Sequence, residues 1–408
     1  MRILFIIQWF QPEPTLKGLP FAKELVKLGH EVEVLTGFPN YPAGKLYPGY
    51  RIRFLQKEII EGVPVTRVPL YPSHDASGFR RILNYMSYAF SAALIGPWVV
   101  KKFDVAYVYH PPATVGLPAI ALRFLRGLRF VYDIQDFWPD TLQATGMFKN
   151  KFGIWIVTQW CKIVYKAASK IIVESPGFKR LLMERGAPEG KIEVIYNWAD
   201  DTAIKPVAKN PALADKLGLS NRFNIMFAGN MGKAQALEAV LHTADLVKND
   251  YPNIQFVFIG DGLETDNLKK ISKDLKLANV LFLSRRPLSE IGEIMALADV
   301  LLVHLKDDPL FAITIPSKIQ SYLAIGRPIL VGVRGDAADL VLKAQAGLVC
   351  TPEDPLSIAD RVGQFAQMSQ EELCTMGENG RKYYQQELSL PIGATRLEGV
   401  FRSVVHAS

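Results

Sequence analysis

The segment 311–330 (FAITIPSKIQSYLAIGRPIL) places a proline, a serine and a lysine at the start of a predicted helix. Pro316 can begin a helix in its first turn, with Ser317 beside it. Lys318 then lies in the first helical turn, where a cation opposes the helix dipole and does not stabilise the helix. That position is favourable when an anion occupies the helix N-terminus, so the pattern predicts a phosphate contact for Lys318. The alternative is a lysine that only faces solvent.

Short glycine turns follow two predicted strands in the same half of the chain. Gly229 and Gly232 lie in GNMGKAQALE, and Gly260 and Gly262 lie in IGDG. Glycine at such a turn permits close backbone approach and phosphate binding at the following helix N-terminus. Neither half of the chain has the GxGxxG fingerprint after its first strand, which disfavours a dinucleotide-dependent oxidoreductase.

Polar residues also end two predicted strands in the first half of the chain. His110 precedes two prolines at the end of one strand, and Asp133, Asp136 and Asp140 lie in DIQDFWPDT after the next. Neighbouring strand ends would place these residues along the wall of an active cleft. A lone histidine at a strand end is more often structural, so both interpretations of His110 stay open.

No motif of the sequence predicts a bound metal. There is no HExxH, no His/Cys pair with ligand spacing, and no DxD of the kind found in metal-dependent sugar transferases with a single sheet. The three cysteines are far apart and form no CxxC pair, which favours a reducing compartment. The first apolar run, RILFII, is too short for a signal peptide. These features predict a cytoplasmic protein.

Charge is unevenly distributed along the chain. Residues 1–200 contain 25 basic and 16 acidic residues, whereas the remainder contains 22 basic and 24 acidic residues. An apolar stretch, 82–100, lies in the basic half between Arg80–Arg81 and Lys101–Lys102. Polar residues and a Gly-Pro pair interrupt it, so we expect a helix on the rim of the first domain that lies at a membrane interface. A buried core helix, with a chance charge imbalance on a solvated surface, is the alternative.

The elements that position these residues follow a regular order. Strands alternate with helices, a linker with a small helix occupies 205–221, and the pattern then restarts. The predicted strands are 2–7, 31–37, 104–110, 129–134, 170–175 and 191–197, then 222–230, 254–262, 279–284, 299–305 and 328–333. Such alternation predicts an α/β fold of two Rossmann-like, doubly wound parallel-sheet domains facing a cleft. Ligands should bind at the carboxyl ends of the strands.

At this level the sequence resembles the family-four glycosyltransferases of the GT-B fold. The segments that carry the resemblance are the opening QWFQPEPTLKGLPFAKELVKLGHEVEVLTGFPNYP, then YHPP, DIQDFWPD, VIYNWAD, GNMGKAQ, IGDG and TIPSKIQSYLA. The likeness covers nearly the whole chain. It is greatest to the bacterial O-antigen and capsule branch that includes N-acetyl-L-fucosaminyl transferases.

The resemblance implies a retaining, metal-independent hexosyl or hexosaminyl transfer from a nucleotide sugar, which is a substrate, so that no cofactor is expected. It implies an acceptor-binding, membrane-facing domain at 1–200, a nucleotide-sugar domain at 201–388, and a C-terminal helix at 389–408 that packs back on the first domain. The expected partners are a UDP-linked sugar, such as an N-acetylated deoxyhexosamine, and a polyprenyl-diphosphate-linked glycan of lipopolysaccharide or capsule synthesis. The cytoplasmic membrane surface is the third expected partner, and no nucleic acid is expected.

The resemblance also implies roles for individual residues. Lys318 would neutralise the diphosphate, and Asp136 would orient or deprotonate the acceptor hydroxyl, with His110 on the acceptor side. The other residues expected to bind the donor are Gly18, Gly229, Asn230, Gly232, Gln235, Gly260, Arg286, Ser317 and Ser321. Arg285 and Arg286 follow a strand, and surface ion pairs are their alternative role.

The chain departs from the broader family in two places. Many members have two glutamates eight positions apart, where this sequence has Ile313 and Ser321. Many also have an arginine where this sequence has Asn230, and Lys233 does not clearly replace their missing lysine. Lys318 is therefore the main basic candidate. Two other functions stay open: a nucleotide-sugar epimerase of the same two-lobed architecture, and a non-enzymatic two-lobed solute-binding protein.

Overall fold

The computed structural model describes residues 1–73, 78–144 and 150–407. The chain forms two compact units: Met1–Tyr196 with Gly393–Ser408, and Asn197–Ile392. We refer to them as the first unit and the second unit, and each is built on its own sheet. The division falls within a few residues of the boundary expected from the sequence between residues 200 and 201.

The sheet of the first unit is almost entirely parallel. Its strands are β1 (Arg2–Ile6), β2 (Glu31–Gly37), β3 (Gln56–Ile60), β4 (Val63–Val68), β5 (Val105–His110), β6 (Phe130–Ile134), β7 (Lys170–Val173) and β8 (Ile192–Val194). Their order is β3-β4-β2-β1-β5-β6-β7-β8. Every residue of β5 and β6 is buried, which is why these central strands read as continuous apolar runs in the sequence.

The hairpin formed by β3 and β4 is not predicted by the sequence pattern. These two strands pair antiparallel, so they add one antiparallel edge strand to an otherwise parallel sheet. An edge strand has a single neighbour and exposes part of its side chains, so β3 lacks the apolar run that reveals the central strands. A buried ion pair joins the hairpin, since Arg67 Nε donates to Glu58 Oε1 at 2.5 Å.

The helices of the first unit cover both faces of this sheet in the doubly wound manner. They are α1 (Leu19–Lys27), α2 (Gly78–Val99), α3 (Gly116–Arg126), α4 (Asp140–Ala144), α5 (Lys151–Ala167) and α6 (Pro176–Glu184). Helix α2 packs along α3, and α3 contacts α5. The three helices thus form a continuous group on one side of the unit.

The sheet of the second unit is wholly parallel. Its strands are β9 (Phe223–Ala228), β10 (Ile254–Ile259), β11 (Val280–Leu283), β12 (Val300–His304), β13 (Ile329–Gly332) and β14 (Gly347–Val349), in the order β11-β10-β9-β12-β13-β14. The sequence pattern predicts all of these strands except β14, which has only three residues.

The helices of the second unit are α7 (Pro211–Leu217), α8 (Glu238–Val247), α9 (Thr265–Asp274), α10 (Leu288–Met295), α11 (Pro309–Ala312), α12 (Ser317–Ile325), α13 (Asp336–Lys343), α14 (Pro355–Gln367) and α15 (Gln370–Tyr383). The core lies between α8, α14 and the sheet, where Val240, Leu241, Ile358 and Val362 are fully buried. Burial of each such side chain contributes about 1.5–3 kcal/mol of hydrophobic stabilisation. This core supports the strand ends where a ligand is expected.

The C-terminal helix α16 (Leu390–His406) belongs to the first unit from Gly393 onward. Phe401 packs edge-on against Tyr107 with ring centroids 6.0 Å apart, and Arg129 donates to the carbonyl oxygen of Val404 at 3.1 Å. The last residues of the chain therefore complete the core of the unit that contains its first residues.

Helix α2 has two faces of different character. Tyr85, Tyr88 and Ala92 are buried against the unit, whereas Leu94 and Trp98 are 71% and 82% exposed. One face of the helix is core and the other is an exposed apolar stripe, so α2 is not buried on all sides. The expectation that it lies at a membrane interface stays a prediction. Across the residues that the structure describes, no helix combines the length and apolar character needed to span a membrane.

Candidate active site

The second unit has a pocket at the carboxyl ends of its central strands. It lies where β9, β10 and β11 end and α12 begins, and its volume is about 690 Å³. The lining combines glycine turns, basic side chains, a helix start and two carboxylates: Asp200, Gly229, Asn230, Gly260, Asp261, Arg285, Arg286, Ser317, Lys318, Ser321 and Tyr322. The structure therefore brings together most of the residues expected from the sequence to bind a donor.

Two glycines of the pocket have backbone conformations that other residues rarely adopt. The φ angle is +140° at Gly229 and +139° at Gly260. A Cβ on Gly260 would lie 2.0 Å from the carbonyl oxygen of Gly229, and a Cβ on Gly229 would lie 2.8 Å from Lys318 Nζ. Both positions therefore require glycine, and Lys318 can lie directly against the backbone of the turn.

Helix α12 begins at the pocket with Ser317, after its N-cap residue Pro316. Among the described residues no side chain caps this first turn. The N–H of Ile319 donates to the carbonyl oxygen of Pro316 at 2.9 Å, and the N–H groups before it are left for solvent or for an anionic ligand. The helix is anchored to β9, because Ala228 N donates to the hydroxyl of Tyr322 at 3.1 Å. The hydroxyl of Ser321 donates to the carbonyl oxygen of Ser317 at 3.2 Å. A buried tyrosine thus determines where the helix start lies relative to the sheet.

Lys318 is partly buried and forms no hydrogen bond or ion pair with any residue that the structure describes. Its Nζ lies 4.7 Å from the ring centroid of Phe227. Burial lowers the pKa of the ammonium group from 10.5 to about 8. A cation without a counter-charge in a partly desolvated position costs folding energy, and an anionic ligand would remove that cost.

The other charges of the pocket surround this lysine. Arg286 Nε is buried without a hydrogen-bond partner in the described part of the chain, and Arg286 Nη1 lies 4.0 Å from Glu290 Oε2. Arg285 is exposed at the pocket rim. The backbone N–H of Gly262 donates to Asp261 Oδ1 at 2.8 Å, and this hydrogen bond is the largest cause of the lowered pKa of Asp261. Three basic side chains thus face two acidic ones, and the pocket favours an anion.

Three residues expected to bind the donor are not part of this lining: Gly18 of the first unit, and Gly232 and Gln235 in the loop after β9. Gln235 Oε1 accepts a hydrogen bond from Gly232 N at 2.9 Å, because a short 3-10 turn, Lys233–Gln235, folds the chain back on itself. Gly232 and Lys233 line a second pocket of about 450 Å³ beside α8. The side chain of Gln235 therefore supports the loop after β9 from within.

The strand ends of the first unit contain a buried ion pair that the sequence pattern does not reveal. Asp133 and Lys17 have fully buried side chains, with Lys17 Nζ 2.7 Å from Asp133 Oδ2. Tyr107 donates to the same oxygen at 2.7 Å, and Gln135 donates to Asp133 Oδ1 at 2.5 Å. Both carboxyl oxygens of Asp133 are thus engaged by partners, and the residue serves structure more than chemistry.

Asp136 lies at the same sheet edge with a second carboxyl group, that of Glu174. Burial raises the pKa of Asp136, and it raises the pKa of Glu174 to about 8, with repulsion from Asp136 adding to the effect and Lys17 opposing it. Two neighbouring carboxyl groups in a desolvated position do not both ionise readily at neutral pH. The pair can therefore hold one proton and exchange it, and only Asp136 of the two was expected from the sequence.

His110 lies beneath this edge and is 1% exposed. Its ring stacks on Tyr132 at 5.8 Å between centroids and meets Trp138 edge-on at 5.5 Å. Both ring nitrogens are buried without a partner among the described residues, and burial lowers the pKa of His110 to about 3. The ring is therefore neutral at physiological pH and does not act there as a proton donor.

Aromatic side chains frame the same edge of the first unit. Trp9 stacks on Tyr41 with ring centroids 4.6 Å apart, and Tyr85 meets Trp9 edge-on at 6.1 Å. Tyr85 also lies 6.2 Å from Trp138. Nearby charges of Asp136 and Tyr41 act on Tyr85, which places the aromatic group beside the carboxyl pair.

Comparison with known proteins matches both units to one kind of enzyme. Residues 19–198 match the family described as a glycosyl transferase 4-like domain, and residues 210–383 match glycosyl transferases group 1. Together the two matches identify the chain as a glycosyltransferase. The first matched range covers most of the first unit and ends two residues beyond it, and the second falls within the second unit, so the glycosyltransferase assignment covers both sheets.

Individual relatives agree with this assignment. The glycosyltransferase is 25% identical over 328 residues to WbjE of Pseudomonas aeruginosa, a protein named as a glycosyltransferase, with 79% of this chain and 80% of that protein covered. It is 28% identical over 345 residues to WcaI of Escherichia coli K12, whose name assigns it to glycosyl transfer in colanic acid biosynthesis, with 80% and 82% covered. The resemblance to fucosaminyl transferases in particular stays an expectation.

The fold is that of solved GT-B enzymes. HepE of Anabaena, solved in complex with UDP and glucose, superposes with a TM-score of 0.68 and 17% identity, covering 99% of this chain and 100% of that one. The predicted α/β fold of two Rossmann-like parallel-sheet domains is confirmed.

Two further features of the glycosyltransferase concern residues expected from the sequence. Gly18 is the N-cap of α1 and follows the buried Lys17; a Cβ there would lie 2.8 Å from Gln11 Oε1, which accepts a hydrogen bond from Leu19 N at 2.9 Å. The expected contact of Gly18 with donor phosphates stays a prediction. In the ranges that the structure describes, no group of three or more His, Cys, Asp or Glu side chains is arranged to hold a metal ion.

Proposed function

We propose that this glycosyltransferase moves a sugar, with retention of anomeric configuration and without a metal, from a nucleoside diphosphate sugar to a lipid-linked glycan of surface-polysaccharide synthesis. The observation that carries the proposal is the pocket of the second unit. An uncapped helix start, the unpaired Lys318 and the buried Arg286 Nε converge there on one space. These are the groups that bind a diphosphate.

The donor pocket has the size and chemistry of a nucleotide-sugar site. A volume of about 690 Å³ lies in the range of pockets for small-molecule substrates. HepE, which shares the fold, was solved with UDP, and this supports a UDP-linked donor. The resemblance to fucosaminyl transferases supports an N-acetylated deoxyhexosamine as the transferred sugar.

In the proposed reaction the bond from the sugar C1 to the β-phosphate oxygen breaks and a bond from C1 to the acceptor oxygen forms. Negative charge develops on the departing diphosphate, and Lys318, Arg286 and the N–H groups of α12 stabilise it. The acceptor hydroxyl loses its proton to the carboxylate of Asp136. The products are the extended glycan and a nucleoside diphosphate.

The acceptor side of the proposal rests on the first unit. Pyranose rings pack their C–H faces against aromatic side chains, and Trp9 and Tyr41, which are partly exposed, form such a surface. The buried Tyr85 packs against Trp9 near Asp136. The names of WbjE and WcaI support an acceptor that is a growing polysaccharide. A polyprenyl-diphosphate-linked glycan is the acceptor class that we propose.

We also propose that the first unit lies on the cytoplasmic face of an acidic membrane. Helices α2, α3 and α5, which contact one another in sequence order, expose large apolar side chains: Phe79, Leu83, Phe90, Leu94, Trp98, Phe124, Leu125, Phe152, Trp155, Ile156 and Ile163. An apolar surface of this extent on a soluble unit marks an interaction site. Basic residues lie at both ends of α2, with Arg80 and Arg81 in its first turn and Lys101 and Lys102 just after it, and they favour anionic lipid as the partner.

A donor screen tests the proposed reaction. Purified protein is incubated with UDP-, GDP-, ADP- and dTDP-linked sugars and a polyprenyl-diphosphate-linked acceptor, and released nucleoside diphosphate is measured with and without acceptor. We expect acceptor-dependent release from one class of donor, with UDP first. An epimerase would convert the donor without releasing nucleotide, and a binding protein would do neither, so either of those results would replace the proposal.

A further inference from the structure

His304 ends β12, the strand beside β9, and is 1% exposed. Each nitrogen of its ring contacts a different segment. Nδ1 lies 2.8 Å from the carbonyl oxygen of Gln235, and the backbone N–H of Glu353 donates to Nε2 at 3.1 Å. The ring thus joins the loop after β9 to the loop after β14.

These contacts determine the tautomer of the ring. Nε2 accepts a hydrogen from Glu353 N, so it carries a lone pair, and Nδ1 carries the proton and donates to Gln235. Burial lowers the pKa of His304, which keeps the ring neutral. The neighbouring strand leaves room for the ring, because a Cβ on Gly332 would lie 2.3 Å from His304 Cδ2.

The loop that His304 holds is strained and leads directly into the donor pocket. Ala236 has φ +46°, a left-handed conformation that is unfavourable for a residue with a side chain. A second bond comes from the same strand end, since Lys306 N donates to the carbonyl oxygen of Ala234 at 2.9 Å. The loop begins at Gly229 and Asn230, which line the pocket beside Lys318. Two bonds from one strand end therefore hold the loop in its strained conformation.

We propose that His304 is a positioning residue for donor binding: its Nδ1–H bond to Gln235 holds the loop 229–236 where the loop lines the diphosphate site. This inference rests on the proposed function of the pocket. The bond to Glu353, on the other side of the ring, orients the imidazole and is not needed at the donor. The hydrogen bonds of the two ring nitrogens can therefore be removed one at a time.

Two substitutions separate them. The amide nitrogen of asparagine takes the place of histidine Nδ1, so His304→Asn keeps the donor to Gln235 and loses the acceptor for Glu353. The amide of glutamine reaches the place of Nε2, so His304→Gln keeps an acceptor for Glu353 and loses the donor to Gln235. His242→Gln, at an exposed histidine of α8, is the matched surface control.

The readouts are the KM for the donor found in the screen, kcat, and hydrogen exchange of backbone amides in the full chain. His304→Gln should raise the donor KM about tenfold, equivalent to about 1.4 kcal/mol, with kcat changed less, and should speed exchange within 229–236. His304→Asn should keep the donor KM close to that of the parent and speed exchange within 350–356 instead. His242→Gln should match the parent in both.

Four outcomes test the inference. The pattern just described supports the inference. Equal effects of both variants on KM and exchange would show that His304 only fills the core, and parental behaviour of His304→Gln would show that the loop does not need it; either result overturns the inference. Failure of the parent to release nucleotide from any donor overturns the proposed function and the donor role with it, while hydrogen exchange still reports separately whether His304 holds the loop.

Discussion

Replacing Lys318 by methionine should make the protein a slower enzyme and a more stable fold. The substitution keeps much of the side-chain volume and removes the charge. Lys318 lies against the Gly229 backbone in the proposed diphosphate site, and it has no counter-charge among the residues described. Because Lys318 has no counter-charge, it can bind an anionic ligand, but its own charge destabilises the protein when no ligand is bound.

The loss of turnover can be estimated from the site. Two unit charges about 4 Å apart interact by on the order of 4 kcal/mol at the effective dielectric of a surface pocket. Arg286 and the N–H groups of α12 remain in the variant and compensate in part. Turnover should therefore fall at least about tenfold, equivalent to about 1.4 kcal/mol, and by up to about a thousandfold if Lys318 acts as a principal donor to the transition state.

The gain in stability follows from the pKa of the same group. Burial lowers the pKa of Lys318 from 10.5 to about 8. That shift corresponds to roughly 3 kcal/mol against the charged form before solvent screening, and screening of a partly exposed group leaves about 1–2 kcal/mol. The variant should then unfold a few °C higher at pH 7. Because the folded pKa lies below the unfolded one, the penalty is full below about pH 8 and disappears as the pH rises toward 10.5.

The assay combines nucleotide release at saturating acceptor with thermal unfolding at pH 7 and pH 10. Lys270→Met, at an exposed lysine of α9, is the control and should change neither. The difference in unfolding temperature between Lys318→Met and the parent should shrink from pH 7 to pH 10. Parental turnover in Lys318→Met, or a lower unfolding temperature at pH 7, would refute the assignment of Lys318 to an unpaired position in the diphosphate site.

Three other predictions follow from the sites. Activity should survive EDTA, since neither the sequence motifs nor the proposed chemistry uses a metal. Glu174→Gln should stabilise the protein above about pH 8 and have little effect near pH 5. The reason is that the pKa of Glu174 is raised from 4.5 to about 8, so the parent loses stability as the pH rises through that range. Thermal unfolding measured as a function of pH checks this. Changing Arg80, Arg81, Lys101 and Lys102 together to glutamine should strongly weaken binding to anionic liposomes at low salt, by about 1 kcal/mol for each residue. Turnover on a soluble acceptor analogue should stay nearly intact. Trp98→Ser should weaken the part of that binding that persists at high salt.

Each of these predictions has a result that contradicts it. Complete loss of activity in EDTA, restored by a divalent ion, would exclude the metal-independent reaction. A stability difference between Glu174→Gln and the parent that is the same at pH 5 and pH 9 would show that Glu174 does not titrate in this range. Parental liposome binding by the quadruple variant would remove these residues from the docking site. Misfolding of that variant would favour a structural role for them.

Much of the site could be predicted from local pattern, because parallel sheets gather their ligand-binding residues at one edge. Gly229 and Gly260 follow neighbouring strands, and Lys318 opens a helix, so each was identified from its own few residues. The structure brings all three to one pocket. The edge strand β3 and the short strand β14 escaped prediction, since neither contains the apolar run that burial on both faces produces. Strand β4 also escaped prediction, since Pro64 and Arg67 interrupt its apolar run.

What the sequence alone determined is thus the order of elements and the residues at their ends, which depend on periodicity and on turn chemistry over a few positions. Tertiary structure alone decided which of those residues are ionised, paired or desolvated. Lys17 meets Asp133 across 116 positions of sequence, and His304 meets Gln235 across 69. Such pairings, and the burial that shifts the pKa of Glu174, depend on how distant segments pack around a group. No short window of sequence contains that information, because desolvation is set by all the neighbours of a group in space.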